Sequence, residues 1–346
     1  MVGARPQFIK AAPVSRVLRQ DHEEFLLHTG QHYDDAMSDL FFRQLGIPAP
    51  DRNLEVGSGS HAAQTAGMMP GIESTVLDWH PDRLLVYGDT NSTLAAALVG
   101  AKLQVPVAHV EAGLRSFDRR MPEEINRTVA DHVSTFLFCP TDTAVKNLAR
   151  EGITEGVARV GDTMFDAFQQ HLDVARRSSQ ILTRLGVEGA EFRLLTIHRA
   201  ENTDSPERLT AILKAVNESG VRVVFPMHPR TRAALASTGF EPGAQLSVIE
   251  PVGYLEMLVL EENAQAILTD SGGVQKEAYF AGRPCITLRD TTEWTETVTA
   301  GWNVLVGADP GRIMEAIHHF RPEGSRPDLY GDGNAAARVV AVLTKA

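Results

Sequence analysis

Short apolar runs alternate along this chain with longer segments whose apolar positions recur at helical spacing. The runs Glu24–Leu27, Leu84–Tyr87, Val105–Val110 and Phe136–Cys139 predict strands in the first half. Arg193–Ile197, Val221–Pro226, Gln265–Thr269 and Pro284–Leu288 predict strands in the second. Helical patterns fall between them, including one from Thr93 to Leu103, one opened by Pro122 and one from Asn334 to Leu343. Strand–helix alternation of this kind predicts an α/β fold with parallel sheets covered on both faces. The polar stretch from Asp162 to Ser179 separates two clusters of such units. Two doubly wound, Rossmann-like domains are expected, one over 1–163 with the helix 331–346 returning to it, the other over 164–330. In such sheets ligands bind beyond the carboxyl ends of the strands. The residues that follow each strand are therefore where the chemistry is sought.

At 346 residues the chain exceeds the usual size of one core. Its net charge of −11, from 44 acidic against 33 basic residues, argues against a nucleic-acid binder. Local basic clusters then point to a small anion. No run approaches the roughly 18 apolar residues of a membrane span, and the first residues lack an apolar signal core. Cys139 and Cys285 each stand in an apolar run, as reduced core thiols do, and no metal-ligand spacing is present. These features predict a cytoplasmic protein without a metal.

The densest stretch runs from His109 to Arg127. A strand delivers Glu111 at its end, and a turn at Gly113 and a basic loop through Arg115, Arg119 and Arg120 follow. Pro122 then opens a helix on which Glu123 and Arg127, four apart, share a face. This composition suits an anionic substrate that undergoes proton transfer. Asp89 follows Leu84–Tyr87, and capping of the next helix accounts for it as well as catalysis does. Its neighbour on the next strand, Glu111, favours catalysis. Gly3 to Lys10 reads as a glycine turn leading into a helix that carries Arg5 and Lys10, either an anion site or solvated cations. His198 and Arg199 end a strand, a placement that suits phosphate recognition. His228 ends another strand and is taken as a wall of the site. Asp270-Ser271-Gly272-Gly273, between an apolar strand and a helix, reads as a phosphate cradle, because glycine lets backbone N–H groups approach an anion at the positive end of a helix, or else as a small-residue turn followed by a solvated Glu277. Glu277, further along that helix, is placed to accept from sugar hydroxyls.

Together, Gly-Ala-Arg-Pro-Gln-Phe-Ile-Lys (3–10), Tyr-Gly-Asp-Thr (87–90), His-Val-Glu-Ala-Gly-Leu-Arg (109–115), Pro-Glu-Glu-Ile-Asn-Arg (122–127), His-Arg-Ala-Glu-Asn (198–202), Asp-Ser-Gly-Gly (270–273) and Arg-Asp-Thr-Thr-Glu (289–293) resemble the non-hydrolysing UDP-N-acetylglucosamine 2-epimerases. The resemblance covers nearly the whole chain. It implies two doubly wound domains of the glycosyltransferase B type with the active site in the cleft between them. It also implies a homodimer, a UDP-sugar substrate, and no metal or nicotinamide. The implied reaction inverts C2 through anti elimination of UDP to a 2-acetamidoglucal, followed by re-addition. By matching motifs, Asp89, Glu111 and Glu123 are the acid–base set, and Lys10 and Arg127 are required for activity. His198 lies near the diphosphate, and Arg5, Ser271, Gly272, Gly273 and Glu277 hold UDP.

Three departures carry information. Only Met1 and Val2 precede Gly3, so either the start codon is misassigned or the strand behind Lys10 is abbreviated. Gln31 and His32 match a Gln-His-x-Gln activator pattern, but Asp34 replaces its second Gln, so activator dependence is expected to be weak or absent. Thr292-Glu293-Trp294-Thr295 replaces the common Thr-Glu-Arg-Pro, which points to a sub-branch that includes epimerases of UDP-2,3-diacetamido-glucuronate. A hydrolysing epimerase shares the same intermediate. A glycosyltransferase of this fold, or a plain UDP-sugar binder, leaves the three carboxylates without a task.

Overall fold

The computed structural model describes residues 1–31, 46–236 and 238–345, and of Arg5 only the backbone. The chain divides into two compact units, Met1–Gln170 with Asp328–Ala346, and His171–Pro327. The boundary between the units falls within the stretch from Asp162 to Ser179. That stretch holds a sixteen-residue helix, Thr163–Ser178, with Met164, Ala167, Phe168 and Ala175 buried along one side. Its many charged residues hide that stripe in the sequence.

In the first unit, β1 (Leu27–His28) pairs in parallel with β2 (Arg52–Asn53). The strand expected over Glu24–Leu27 therefore begins three residues later. β3 (Leu84–Tyr87), β4 (Val107–Val110), β5 (Phe136–Cys139) and β6 (Val157–Arg159) form a parallel sheet in that order. The first two residues link the two sheets, since Val2 bridges His28 and the Met1 nitrogen donates to the Leu85 carbonyl at 3.0 Å. Apolar residues of β3 and β4 pack with those of helices His61–Trp79 and Asn91–Lys102 into one core around Met68, Ile72, Val86 and Ala96. The helix Ala335–Leu343 belongs to this unit and packs on the helix Arg5–Leu18. Its first two amides, Ala335 and Ala336, donate to the two carboxylate oxygens of Asp166 at 3.1 and 2.8 Å. Its own N-cap, Asn334, makes no capping bond, so Asp166 does that work from another helix.

The second unit holds one parallel sheet of six strands: β7 (Arg193–Thr196), β8 (Val223–Pro226), β9 (Leu246–Ile249), β10 (Ala266–Thr269), β11 (Cys285–Thr287) and β12 (Asn303–Leu305). Their spatial order is β12-β11-β10-β7-β8-β9. The chain winds outward from β7 in one direction and from β10 in the other. β7 and β10 are therefore the neighbours at which the winding reverses, where open α/β sheets bind their ligands. The core of this unit gathers Leu195, Leu213, Phe225, Leu268 and Ile286. Cys139 and Cys285 are buried free thiols, and burial pushes both upward, Cys285 to about 12. No helix among the described residues is long and apolar enough to cross a membrane.

Candidate active site

In the first unit the carboxylates follow adjacent strands. Tyr87 of β3 pairs with Val110 of β4, so Asp89 and Glu111 leave neighbouring strand ends in the same direction. Gly88, in the left-handed region at φ 62°, makes the turn after β3. Thr90 caps the helix Asn91–Lys102 by accepting from the Thr93 amide. The capping role weighed for Asp89 thus falls to its neighbour, and the Asp89 carboxylate instead accepts from Arg127 Nη2. Glu111 itself has a φ of 76°, which costs a side-chain-bearing residue on the order of 1 kcal/mol or more. That turn directs its carboxylate to the Lys10 ammonium, and both side chains are buried. A Cβ added at Gly88 would stand 2.7 Å from Lys10 Nζ and 3.2 Å from Glu111 Oε2, so glycine is needed there for space as well as conformation.

Lys10 is held by its helix, and the helix by Gln7. Gln7 Oε1 accepts from the Gly3 and Ala4 amides at 2.8 and 3.1 Å, while its Nε2 donates to the Tyr87 carbonyl and to Thr93 Oγ1 at 2.9 and 3.0 Å. The Gly3 turn therefore lies directly against the strand end that carries Asp89. A Cβ at Gly3 would fall 2.1 Å from Thr29 Oγ1. Of the two cations expected on this segment, Lys10 is neither solvated nor open to an anion: it is buried against Glu111. The side chain of Arg5 lies outside what the structure describes.

The helix Pro122–Val133 begins where Pro122 predicts. Arg127 is buried and donates through Nη1 to Glu124 at 2.8 Å. Glu124 also accepts from the Ser116 amide and hydroxyl and from the Phe117 amide, each at 2.9 Å. Two adjacent glutamates thus differ in role: Glu124 is an internal acceptor, whereas Glu123 is partly exposed. Sequence reasoning missed Glu124 because nothing in the pair distinguishes the two faces.

The arginine cluster divides differently from expectation. Arg115 does not face an open anion site. It is buried, forks onto Glu151 with two bonds of 2.7 Å, and donates to Asp131 at 2.7 Å. Those ion pairs outweigh its burial and raise it further. Arg120 pairs with Asp118 on the surface. Gln31 Oε1 accepts from the Ser92 amide and hydroxyl at 3.1 and 2.7 Å. His32 and Asp34, the rest of the expected activator pattern, lie outside the described residues.

The second unit gathers its polar residues at the β7/β10 reversal. Asp270 is fully buried and accepts from the His198 amide at 3.0 and 3.1 Å, from the Arg199 amide at 3.0 Å and from Asn202 Nδ2 at 3.1 Å. It fixes the loop after β7 to the loop after β10. His198 is half-exposed, with Nδ1 at 3.6 Å from Asp270 Oδ1, and its ring lies 5.6 Å from that of His228. His228 caps the helix Pro229–Leu235 by accepting from the Arg230 amide, so its structural role is definite. Ser271 caps the helix Gly272–Phe280 by accepting from the Val274 amide. A Cβ at Gly272 would lie 2.3 Å from Glu293 Oε1, and Glu293 is paired with Arg289 at 3.0 Å. That pairing offsets the carboxylate charge beside the N-terminal turn of the helix. Glu277 is buried on the same helix. Trp294 lies under the Lys276 ammonium, 4.4 Å from ring centroid to Nζ.

A family model described as UDP-N-acetylglucosamine 2-epimerase matches residues 16–344. A Methanococcus maripaludis protein named as a homologue of UDP-N-acetylglucosamine 2-epimerase is 52% identical, over 99% of this chain and 98% of its own. The UDP-2,3-diacetamido-2,3-dideoxy-D-glucuronate 2-epimerase of Pseudomonas aeruginosa is 50% identical, over 100% of this chain and 98% of its own. Among solved structures, the Methanocaldococcus jannaschii UDP-GlcNAc 2-epimerase in complex with UDP-GlcNAc and UDP matches with a TM-score of 0.93. Its identity is 44%, over 100% of this chain and 98% of that one.

Proposed function

This chain belongs to the UDP-N-acetylglucosamine 2-epimerase family, and from that premise we propose that it interconverts UDP-N-acetylglucosamine and UDP-N-acetylmannosamine. The observation that carries this reading is the placement of two ion-paired carboxylates, Asp89 with Arg127 and Glu111 with Lys10, after the adjacent strands β3 and β4. Epimerisation at C2 needs a base on one face and an acid on the other. A carboxylate of the set Asp89, Glu111 and Glu123 removes the C2 proton while the C1–O bond breaks and UDP departs with the electron pair. UDP then adds back to C1 of the glucal, and a proton arrives at C2 on the opposite face. Lys10 and Arg127 fix the directions of Glu111 and Asp89, and their positive charge favours departure of an anion. Ser271, Gly272 and Gly273 take the diphosphate at the helix end beside His198, and Glu277 takes the ribose hydroxyls. We also infer a homodimer, on family resemblance alone, and a cytoplasmic location, on the absence of an apolar signal core and the two thiols in apolar runs. Light scattering of the purified protein tests the assembly.

Two observations favour a second substrate, UDP-2,3-diacetamido-2,3-dideoxy-glucuronate. One is the 50% identity to the Pseudomonas aeruginosa enzyme. The other is Trp294, with the Lys276 ammonium above it, where Thr-Glu-Arg-Pro is common. Proton NMR in heavy water tests both substrates. The expected result is a new anomeric signal and loss of the C2 proton from both epimers. Release of one UDP per turnover supports a hydrolysing enzyme instead, and no exchange with either sugar refutes the reading.

A further inference from the structure

Strand β4 is apolar except for His109, which is fully buried at its centre, and the residue facing it, Asp131 of the helix Pro122–Val133, is buried as well. Burying two polar side chains of this kind costs desolvation, and apolar side chains of similar size fill such a space at least as well. The pair therefore calls for a task beyond packing.

We propose that His109 and Asp131 are positioning residues that hold the Asp89 turn and the Glu111 turn in fixed register. His109 Nε2 lies 2.7 Å from the Gly88 carbonyl, one residue before Asp89, and a carbonyl only accepts, so that nitrogen donates. His109 Nδ1 lies 2.7 Å from Asp131 Oδ1. Asp131 Oδ2 accepts from the Gly113 amide at 3.1 Å, two residues after Glu111, and from Arg115 Nη1 at 2.7 Å. One buried pair thus spans from the backbone beside Asp89 to the backbone beside Glu111. The far side is anchored by Arg115, itself forked onto Glu151. Movement of Gly88 matters directly, because its Cα faces the Lys10–Glu111 pair with no room for a methyl group. Burial alone would push the Asp131 carboxyl up, but the bond and charge of His109, with Arg115, hold it below its ordinary value. The pair touches no reacting group and acts through the two turns.

This inference rests on reading Asp89 and Glu111 as the acid–base groups. Its test compares Asp131→Asn and His109→Gln with the wild type for C2 proton exchange, UDP affinity and thermal midpoint. Asp131→Asn keeps the shape but gives the site an amide that cannot accept on both sides. His109→Gln keeps a donor toward Gly88 and loses the ring that spans to Asp131. In variants that are folded at the assay temperature, kcat is expected to fall roughly 10- to 100-fold, the scale of a small misplacement of reacting groups. KM and the UDP dissociation constant are expected to stay within about two-fold. A folded variant with wild-type kcat, or one changed only in KM, overturns the proposal. So does failure of both variants to fold, which makes the pair a packing element. A wild-type protein that exchanges no C2 proton removes the underlying reading and this inference with it. The wild-type control separates that outcome from failure of the pair alone.

Discussion

Arg127 donates to Asp89 from a guanidinium that is almost sealed, its side chain 2% exposed, while the Asp89 side chain keeps 27% of its surface open. One carboxylate oxygen is therefore held by Arg127 while part of the group stays accessible. Such a group is oriented without being buried, which suits proton transfer to a bound molecule. Asp89→Asn is expected to leave UDP affinity within about two-fold and to reduce C2 exchange below a few per cent of wild type. Exchange above that level, measured by NMR in heavy water, refutes a proton-transfer role.

The adjacent glutamates 123 and 124 give a sharper contrast. Glu124 holds four donors, one of them the Arg127 guanidinium. Glu124→Ala leaves those groups buried without their acceptor and is expected to cost about 3–5 kcal/mol in urea unfolding. Glu123→Gln is expected to change stability by less than about 0.5 kcal/mol while removing most C2 exchange. The reverse ranking excludes Glu123 from the acid–base set.

Ser271 serves two ends at once. Its hydroxyl caps the helix Gly272–Phe280, and its turn is the proposed diphosphate seat. Ser271→Ala is expected to lower stability by about 1 kcal/mol, the usual cost of losing an N-cap. It is also expected to weaken UDP binding, read by calorimetry. An unchanged UDP dissociation constant counts against the cradle, whatever happens to stability.

Asp166 sets a pH dependence. Burial pushes its carboxyl up to about 6, and the amides of Ala336 and Ala335 offset that only in part. The folded protein therefore binds this proton more tightly than the unfolded chain, whose value is near 3.8. Its contribution to stability is full below about pH 3.8 and is lost as the pH rises to about 6. Asp166→Asn cannot ionise, so stability measured from pH 4 to 7 is expected to lose this downward component. An identical pH profile in the variant excludes Asp166 as its source.

Much of this was legible in the chain itself. The apolar runs 84–87 and 136–139 coincide with β3 and β5, and Pro122 marks its helix start. Asp89, Glu111, His198 and Ser271 stand just beyond the strand ends that the apolar runs mark, where parallel sheets place ligands. What escaped is equally physical. β2 is an exposed Arg52–Asn53, and β6, β9 and β12 are three- or four-residue edge segments without clear alternation. Gln7 gains its importance from contacts 80 and 86 residues away. His109 stands within an apolar run, and nothing in the sequence marks Asp131, 22 residues on, as its buried partner. A basic loop gave no sign that Arg115 turns inward.

The helix Ala335–Leu343 lies in the second of the two segments, Met1–Gln170 and Asp328–Ala346, that make up its unit. The second unit, by contrast, is one continuous segment, His171–Pro327. During synthesis the later-coded unit is therefore the first to have all of its residues outside the ribosome. The unit coded first must wait, with the surface of its helix Arg5–Leu18 uncovered, until the segment that carries Ala335–Leu343 emerges. A ribosome that stalls before Ala335 releases a chain with its second unit complete and an open seam on its first. Quality control can recognise such a chain by exposed apolar surface, without reading its length.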